Sequence, residues 1–520
     1  MTAVLTRSGL HRAVPAKRDS VLHSRLVPVG LGLVAFALRA LGLRTANDVF
    51  IDEVTYATFA DQIAHGQLPN TGGEPFFLHP PLSFVLNALV ERVFGFTGDA
   101  MDLALQLRWT NAALGAVTVV VAYFLVRRLA GAGPALVAGL VLVTDPFVLR
   151  QDGRTMIETP AGLAVLVGWL LVLRALDREP GPTRTRRELL AGLVFGIALV
   201  TKDMTAAFTL LPLVAAGLWK RTLPWRSIGS ALVAVPLPYL VWLGVVSANG
   251  LLGDFAGQKA VGVLRMAGVI QETGFNATPD ASLASRLVDM VGRFGTSYLL
   301  LGVCAAAGAY VAFSARPTRR LVGLLALCAG LLGVYCVVAG AAEEQFGYYV
   351  VLAAVLATPV ALLELVARLP WLRRPAVVLV VLFVVAGAVL GVQARTTTDD
   401  GLVRARAFMD ALPVGSTVGL TSVTGEFALL PHDGWAVQPS LASLAHGGAQ
   451  YVLTQSQPLS QGYGYAAPRL LGWLAAHATP VFTATGPTSG HTVVWRLDRA
   501  ALDAAVAAGE TLPPVTGGYT

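Results

Sequence analysis

The feature that most constrains this chain is a series of long apolar segments, each close to the length that crosses a lipid bilayer. A spanning helix needs about 20 mostly apolar residues, with a range of about 17–25. The segments are 27–44, 108–126, 133–149, 157–174, 189–202, 204–219, 228–246, 296–314, 321–340, 348–367 and 376–393. This pattern predicts an all-α polytopic membrane protein with about 11 transmembrane helices. The two short neighbouring segments, 189–202 and 204–219, are expected to form a tight helical hairpin.

The distribution of charge predicts how these helices are oriented. Only 13% of the residues are charged, against about 25% in soluble domains. The net charge of +7 does not gather on one face, so no nucleic-acid partner is expected. Basic residues cluster instead in alternate short loops, which favours a cytoplasmic N-terminus. They are Arg127, Arg128, Arg178, Arg184, Arg186, Arg187, Lys220, Arg221, Arg226, Arg316, Arg319, Arg320, Arg368, Arg373 and Arg374.

The predicted organisation has three parts. A basic cytoplasmic tail, residues 1–26, precedes an uncleaved signal anchor, because no small-residue cleavage site follows the first apolar segment. A transmembrane domain covers 27–394 and carries two long outer loops, 45–107 and 247–295. We expect interfacial helices at 82–96 and within the second loop. In residues 395–520, short β-branched runs alternate with a helix-like run, which predicts a small extracytoplasmic α/β domain. The three cysteines lie within apolar segments and predict no disulfide framework.

The first outer loop contains the most informative polar residues. Asp52 and Glu53 are adjacent carboxylates beside the membrane, and we assign both as candidate catalytic residues. The alternative is structural, because Asp52 is also a good N-cap for a helix over 53–65. Tyr56 lies one helical turn later on the same face. It is a candidate substrate contact; the alternative is an interfacial aromatic anchor. His79 precedes two prolines, which favour extended backbone. It is a candidate to bind substrate or a metal; the alternative is that this segment is only a rigid entry to the next helix.

Other polar groups lie at the predicted outer ends of later helices. Arg150, Arg154 and Lys202 are cations on the outer side, against the general charge bias, and they are candidates for binding a phosphate. The alternative is that they form ion pairs with nearby acids, including Glu158. Lys202 stands in an otherwise apolar run, where a lone charge is costly and usually functional or paired.

A short predicted turn adds two further acids and a tyrosine. Glu343, Glu344 and Tyr348 lie at one outer mouth and are candidate substrate contacts, together with Glu158. An aromatic belt at the membrane surface explains the tyrosine equally well. Because the predicted topology places all these groups on one side of the membrane, they could converge on a single site.

These residues together resemble the GT-C glycosyltransferases, membrane enzymes that use sugars carried on a polyprenyl phosphate. The resemblance is strongest to family 39, which contains the protein O-mannosyltransferases and the related lipid A aminoarabinose transferases. It covers roughly residues 27–350 and is specific in the first loop, where the Asp-Glu pair, Tyr56 and the His-Pro-Pro-Leu run match the family pattern. It implies that Asp52 is the catalytic acid and that Arg154 and Lys202 lie near the donor phosphate.

The resemblance also implies partners, and the chemistry agrees with the residues. The partners are a polyprenyl-phosphate-sugar donor, membrane lipid, and a glycan, lipid or protein acceptor at the outer face of the cell membrane. A phosphate leaves without a general acid, so one carboxylate base and cations for the phosphate suffice. A divalent cation, Mg²⁺ or Mn²⁺, is a candidate cofactor. The aminoarabinose branch has an acid before its Lys-Pro-Pro, whereas Leu78-His79 precede Pro80 here, so the metal site of that branch is not implied.

Two other functions compete with the enzyme, and the tail has two possible roles. A transporter would place ionisable groups near the middle of the bilayer, whereas the acids here gather at the outer ends. A scaffold or sensor acting through its tail would not need charges at several outer loops. We expect the tail to lie over the outer cavity and help choose the acceptor; the alternative is that it only stabilises the fold.

Overall fold

The computed structural model describes residues 26–269, 283–339, 345–460, 464–510 and 512, with the backbone alone over 283–289 and at 460. The apolar part is helical throughout. Its helices are α1 (Leu26–Ala40), α2 (Ile51–Ala64), α3 (Leu82–Phe94), α4 (Ala100–Ala130), α5 (Ala132–Thr144), α6 (Pro146–Asp152), α7 (Glu158–Leu176), α8 (Pro182–Thr201), α9 (Ala206–Leu218), α10 (Trp225–Ala234), α11 (Pro236–Ala248), α12 (Leu252–Met266), α13 (Leu283–Ala312), α14 (Pro317–Val338), α15 (Phe346–Arg368) and α16 (Arg373–Thr396). A two-stranded ribbon, β1 (Asn70–Thr71) and β2 (Glu74–Pro75), lies between α2 and α3.

Within the described residues, each predicted spanning segment is mostly helical, which confirms a polytopic helical protein. Seven helical stretches of the described chain are long and apolar enough to cross a membrane, and α5 with α6 makes an eighth if that pair, bent by 61°, is one span. The helices α1 and α9 are apolar but shorter. The expected tight hairpin at 189–219 is wrong, because α8 packs against α7 and α10 whereas α9 packs against α14. A short 3₁₀ turn, Asp203–Thr205, separates the two helices.

Small residues allow the closest helix packing in the bundle. On α13 and α14, a Cβ at Gly308 would lie 2.3 Å from the backbone nitrogen of Leu327, and one at Gly330 would lie 2.5 Å from that of Ala305. Both distances are far below a real contact, so only glycine lets the two backbones approach this closely. Such pairs of small residues are the usual means by which helices associate within a bilayer.

The tail forms the predicted α/β unit around one sheet. Its strands are β3 (Val418–Leu420), β4 (Trp435–Val437), β5 (Tyr451–Gln455), β6 (Ala478–Gly486) and β7 (Gly490–Leu497), and its helices are α17 (Gly401–Asp410), α18 (Val423–Leu429), α19 (Leu441–His446), α20 (Ser456–Ser460), α21 (Arg469–His477) and α22 (Arg499–Ala507). The strand order is β4-β3-β5-β7-β6. The strand β3 runs parallel to β4 and β5, while β7 runs antiparallel to β5 and β6.

The tail shares a hydrophobic core with the first loop. Val54 and Ala57 of α2 and Leu107 of α4 are buried in one cluster with Leu420 of β3 and Val494 of β7. The N-terminal turns of the 31-residue helix α4 therefore lie in this shared core, and its later turns continue into the main apolar core of the bundle.

Polar contacts reinforce the same junction. The buried Asp48 carboxylate accepts hydrogen bonds from the backbone nitrogen of Leu402, at 3.1 Å, and from the hydroxyl of Ser489. Arg406 of α17 forms ion pairs with Asp99 and Asp102 at the start of α4, at 2.7 and 3.4 Å. The tail is thus joined to the first loop by both apolar and polar contacts.

Candidate active site at the start of helix α2

The first turn of α2 is fixed by a buried ion pair. Glu53 is fully buried, and its two carboxylate oxygens accept from Nη2 and Nε of Arg108 at 2.6 and 3.0 Å. The same carboxylate accepts from the backbone nitrogens of Phe50, at 3.0 Å, and Thr155, at 3.2 Å. Arg108 also donates to the carbonyl oxygens of Leu43 and Asn47, both at 2.9 Å. Glu53 therefore holds the loop together, and its pairing argues against the catalytic role expected for it.

Asp52 points in a different direction and enters a chain of hydrogen bonds. Its Oδ2 accepts from Nε2 of Gln345, at the residue before α15. The amide oxygen of Gln345 accepts from Nζ of Lys202 at 3.1 Å. Lys202, which is only 3% exposed, also forms an ion pair with the buried Glu158. An acid and a cation from distant parts of the sequence thus lie two hydrogen bonds apart.

The structure also bears on the alternative role considered for Asp52, that of an N-cap. The N-cap position of α2 is Phe50, with extended backbone, and Asp52 lies inside the first turn. The carboxylate therefore does not cap the helix, although a negative charge in the first turn still favours the helix dipole. Glu158 keeps its second oxygen, Oε2, buried without a hydrogen-bond partner among the described residues.

A second pair of charges lies beside Lys202. Lys259 of α12 forms an ion pair with Asp203 and donates to the carbonyl oxygen of Leu78 at 3.1 Å. The hydroxyl of Tyr239 donates to the other oxygen of Asp203 at 2.8 Å. Helix α12, expected as an interfacial helix, has no buried residue. It nevertheless places a cation next to the loop that carries His79.

Gln258 of α12 holds the loop that carries His79 through two hydrogen bonds to its backbone. Its Oε1 accepts from the backbone nitrogen of Phe77 at 2.6 Å, and its Nε2 donates to the carbonyl oxygen of Pro75 at 2.7 Å. A groove of about 500 Å³ runs between the loop and α12, lined by Phe76, Leu78 and Arg265 among others. The described lining of the groove includes neither Asp52 nor Gln345, Lys202 or Glu158.

His79 lies among aromatic rings and cations. The ring centroids of Tyr56 and Phe76 are each 5.9 Å from that of His79, both edge-on. Burial lowers the pKa of His79 well below its usual value, and the charges of Lys202, Lys259 and Arg265 lower it further. His79 is therefore neutral at physiological pH and presents one hydrogen-bond donor and one acceptor. Tyr56, 2% exposed, packs against this ring and holds it.

The remaining predicted residues take other positions. Arg154 lies over the Phe50 ring, 5.3 Å from its centroid, and donates to Thr488 of the tail at 3.0 Å. Arg150 lies over the ring of Phe294 at 5.4 Å. Tyr348 is fully buried and donates to Asp152 at 2.9 Å. The expected substrate contact of Tyr348 stays a prediction, and its hydroxyl donates inside the bundle. The predicted contacts Glu343 and Glu344 lie outside the described residues.

Sequence reasoning missed two residues that complete the site. Gln345 was overlooked beside the two acids that precede it, because an uncharged amide gives no signal in a charge pattern. Lys259 falls in the interfacial helix expected within the second outer loop, and its pairing with Asp203, 56 residues earlier, is not visible in the sequence.

Comparisons with known proteins agree with this architecture. Residues 29–252 match the family model described as dolichyl-phosphate-mannose-protein mannosyltransferase, whereas no curated protein sequence matches the chain. The crystal structure of ArnT from Cupriavidus metallidurans bound to undecaprenyl phosphate is similar, with a TM-score of 0.59, 14% identity, and coverage of 92% of this chain and 98% of that chain.

A second solved relative is the archaeal oligosaccharyltransferase AglB from Archaeoglobus fulgidus, in complex with an inhibitory peptide and a dolichol-phosphate. Its TM-score is 0.55 at 13% identity, and the alignment covers 90% of this chain and 74% of that chain. At such identities the likeness establishes the fold. The family match over 29–252, which is less than half of the chain, and the shared architecture together show that the chain has the fold of the GT-C glycosyltransferases.

Proposed function

We propose that the chain transfers a sugar from a polyprenyl-phosphate donor to a hydroxyl group of a cell-envelope glycan, lipid or protein at the outer face of the membrane. The observation that carries this proposal is the chain of contacts Asp52–Gln345–Lys202–Glu158. It supports the proposal because it brings a carboxylate base and a cation for a phosphate to one end of the bundle, close to where a lipid-borne donor would present its head group.

In the proposed mechanism, Asp52 is the base of a single displacement. The acceptor hydroxyl loses its proton to the Asp52 carboxylate, and its oxygen attacks the anomeric carbon of the donor sugar. The bond from that carbon to the phosphate oxygen breaks, and the electron pair leaves with the polyprenyl phosphate. The anomeric configuration is inverted. Gln345 is a positioning residue, because its amide holds the Asp52 carboxylate and the Lys202 ammonium in a fixed relation.

Positive charge for the departing phosphate comes from side chains. Lys202 and Lys259 flank the loop that carries His79, and Arg154 flanks the other side of the first turn of α2. Ionised groups held in place before the reaction stabilise developing charge without reorganisation. The neutral His79 and the unpartnered oxygen of Glu158 are suited to contacts with sugar hydroxyls.

The described cations around His79 fit a divalent metal poorly. Asp52 accepts from the amide of Gln345, which in turn accepts from the ammonium of Lys202. His79 lies near three cations, Lys202, Lys259 and Arg265, whose charge would oppose a divalent ion. We therefore route no step through Mg²⁺ or Mn²⁺, and cations of the protein hold the phosphate instead.

We propose that the end of the bundle bearing the tail faces outward, with the N-terminus in the cytoplasm. The basic residues of the alternate short loops support this orientation. The tail contacts Arg154 through Thr488, and Arg154 lies over Phe50 just before α2, so the tail would then lie close to the site and could contact the acceptor.

The test is a transfer assay on the purified full chain with dolichyl-phosphate mannose as the probe, followed by a panel of other polyprenyl-phosphate sugars. Asp52→Asn should lower kcat by at least about 100-fold, the range of a lost general base, with unchanged folding. Asp498→Asn, an exposed acid at the start of α22, is the matched control and should leave kcat unchanged. Lys202→Gln should raise KM for the donor more than KM for the acceptor. Wild-type turnover by the Asp52→Asn variant would refute the assignment of the base.

A further inference from the structure

A second group of ionisable residues lies at the opposite end of α2. Asp61 and His65 are four residues apart on one helix face, and Glu91 of α3 faces them. Each of the three offers a ligand atom, and these atoms lie within 4.8 Å of one another. At about 1.5 Å of rise per residue, the group is roughly 15–20 Å along α2 from Asp52 and belongs to neither the proposed base nor the phosphate cations.

The burial of Glu91 distinguishes this group from an ordinary cluster of acids on the surface. Its side chain is 6% exposed, and its Oε2 is buried without a hydrogen-bond partner among the described residues. The group that faces it is the Asp61 carboxylate, which is an acceptor as well. Two carboxylates turned toward each other in a partly buried place need either a shared proton or a cation between them.

The imidazole of His65 favours a bound cation over a shared proton. His65 lies at the edge of the group, with its side chain 70% exposed and Nδ1 3.2 Å from Oδ1 of Asp61. A shared proton needs no histidine, whereas imidazole nitrogen and carboxylate oxygen are both ligands that Zn²⁺ accepts. Imidazole also favours a first-row transition ion over Mg²⁺ or Ca²⁺. The neighbouring cation, Arg92, donates to the carbonyl oxygen of Ala64.

We propose that Asp61, His65 and Glu91 form a binding site for a divalent transition cation, with Zn²⁺ as its best-fitting member, that joins the end of α2 to α3. The bound ion neutralises the facing carboxylates and fixes the angle between the two helices. Because α3 turns exposed apolar residues such as Leu89 and Val93 outward, the ion would hold α3 against the rest of the first loop while that face meets lipid.

The experiment measures binding and stability without any sugar substrate, so its failure is distinct from failure of the proposed transfer. The full chain is purified in detergent, stripped with EDTA, and titrated with ZnCl₂ by calorimetry. One equivalent should bind, and Zn²⁺ should raise the thermal unfolding temperature. Glu91→Gln, which keeps the shape of the side chain, and His65→Gln should each weaken binding by at least about tenfold, since even loss of an outer-shell partner costs that much.

His446→Gln is the matched control. His446 is also an exposed histidine at the end of a helix, with Nδ1 2.7 Å from the carbonyl oxygen four residues earlier, and α19 places no carboxylate in its last turn. This variant should bind Zn²⁺ as the wild type does. Wild-type affinity in both the Glu91→Gln and the His65→Gln variants would overturn the proposal, because the ion would then bind elsewhere. Absence of binding to the wild-type chain would also overturn it and leave two carboxyl groups that share a proton.

Discussion

The ion pair between Glu53 and Arg108 offers a test of what the Asp-Glu motif does. The two residues are both fully buried, and Glu53 uses both oxygens on Arg108 and on two backbone nitrogens. We predict that Glu53→Gln destabilises the protein and lowers activity indirectly, by moving Asp52. If Glu53 were itself a catalytic residue, the loss of activity would not depend on the state of Arg108.

The contacts of Glu53 and Arg108 set the expected loss of stability in the Glu53→Gln variant. Removing the charge of Glu53 leaves the Arg108 guanidinium buried without its counter-ion, which costs about 3–5 kcal/mol. Replacing Arg108 by Gln in the same chain removes that uncompensated charge. The double variant also loses donors to the carbonyl oxygens of Leu43 and Asn47, at about 1–3 kcal/mol for each group left unpaired. We therefore expect the double variant to recover part of the lost stability, but not all of it.

Guanidinium unfolding in detergent, followed by tryptophan fluorescence, gives the stability of each variant. Transfer by the folded fraction gives the activity. A coupling energy of about 1–3 kcal/mol between the two sites, the usual range for residues in contact, would support the positioning role. A double variant that regains stability but stays as inactive as Asp52→Asn would refute it, and Glu53 would then act in the reaction.

Other parts of the fold carry three further predictions. Burial and the Asp399 charge raise the pKa of Asp48 to about 6, so its charged form destabilises the fold by up to about 3 kcal/mol above pH 6, and this cost disappears as the pH falls toward 4. Asp48→Asn should therefore raise the unfolding temperature at pH 8 and change it little at pH 4.5; an equal shift at both values would contradict the assignment. Gly330→Leu should abolish the folded yield, because its side chain meets the α13 backbone, whereas Gly302→Leu on α13, with nothing within 4 Å of a Cβ, should fold normally in a size-exclusion assay. Gln258→Leu should release the 75–77 loop and speed its backbone amide exchange by at least about tenfold, since it removes two hydrogen bonds worth about 1 kcal/mol each; unchanged protection would show that other contacts hold the loop.

Much of the helical architecture follows from local sequence, because a bilayer-spanning helix needs only its own length and composition. The tail strands at 418–420, 451–455 and 490–497 were also predictable, since β-branched runs mark them. The strand β6 escaped prediction because Pro480 and a register shift interrupt its pairing with β7, and β4 is only three residues long.

The site was predictable in part, and the reason is geometric. A charge pattern finds Asp52 and Lys202 but cannot show that Gln345, 293 residues after Asp52, bridges them. Nor can it distinguish Glu53, turned toward Arg108, from Asp52, turned toward Gln345, because neighbouring residues on a helix face about 100° apart. The contact of Tyr348 with Asp152 was likewise not predictable, since Asp152 comes from another helix.

The core shared by the tail and the first loop has a consequence for synthesis of the protein. Val54 and Ala57 emerge early from the ribosome, but their packing partners Leu420 and Val494 emerge hundreds of residues later. At about 5–20 residues per second, tens of seconds pass between synthesis of α2 and synthesis of the tail strands that pack against its apolar side. Contacts of such long sequence separation form late. We therefore expect the first turns of α2, with the proposed base Asp52, to reach their final position only after β3 and β7 have been made. A chain terminated before β3 would then insert in the membrane without completing the proposed site.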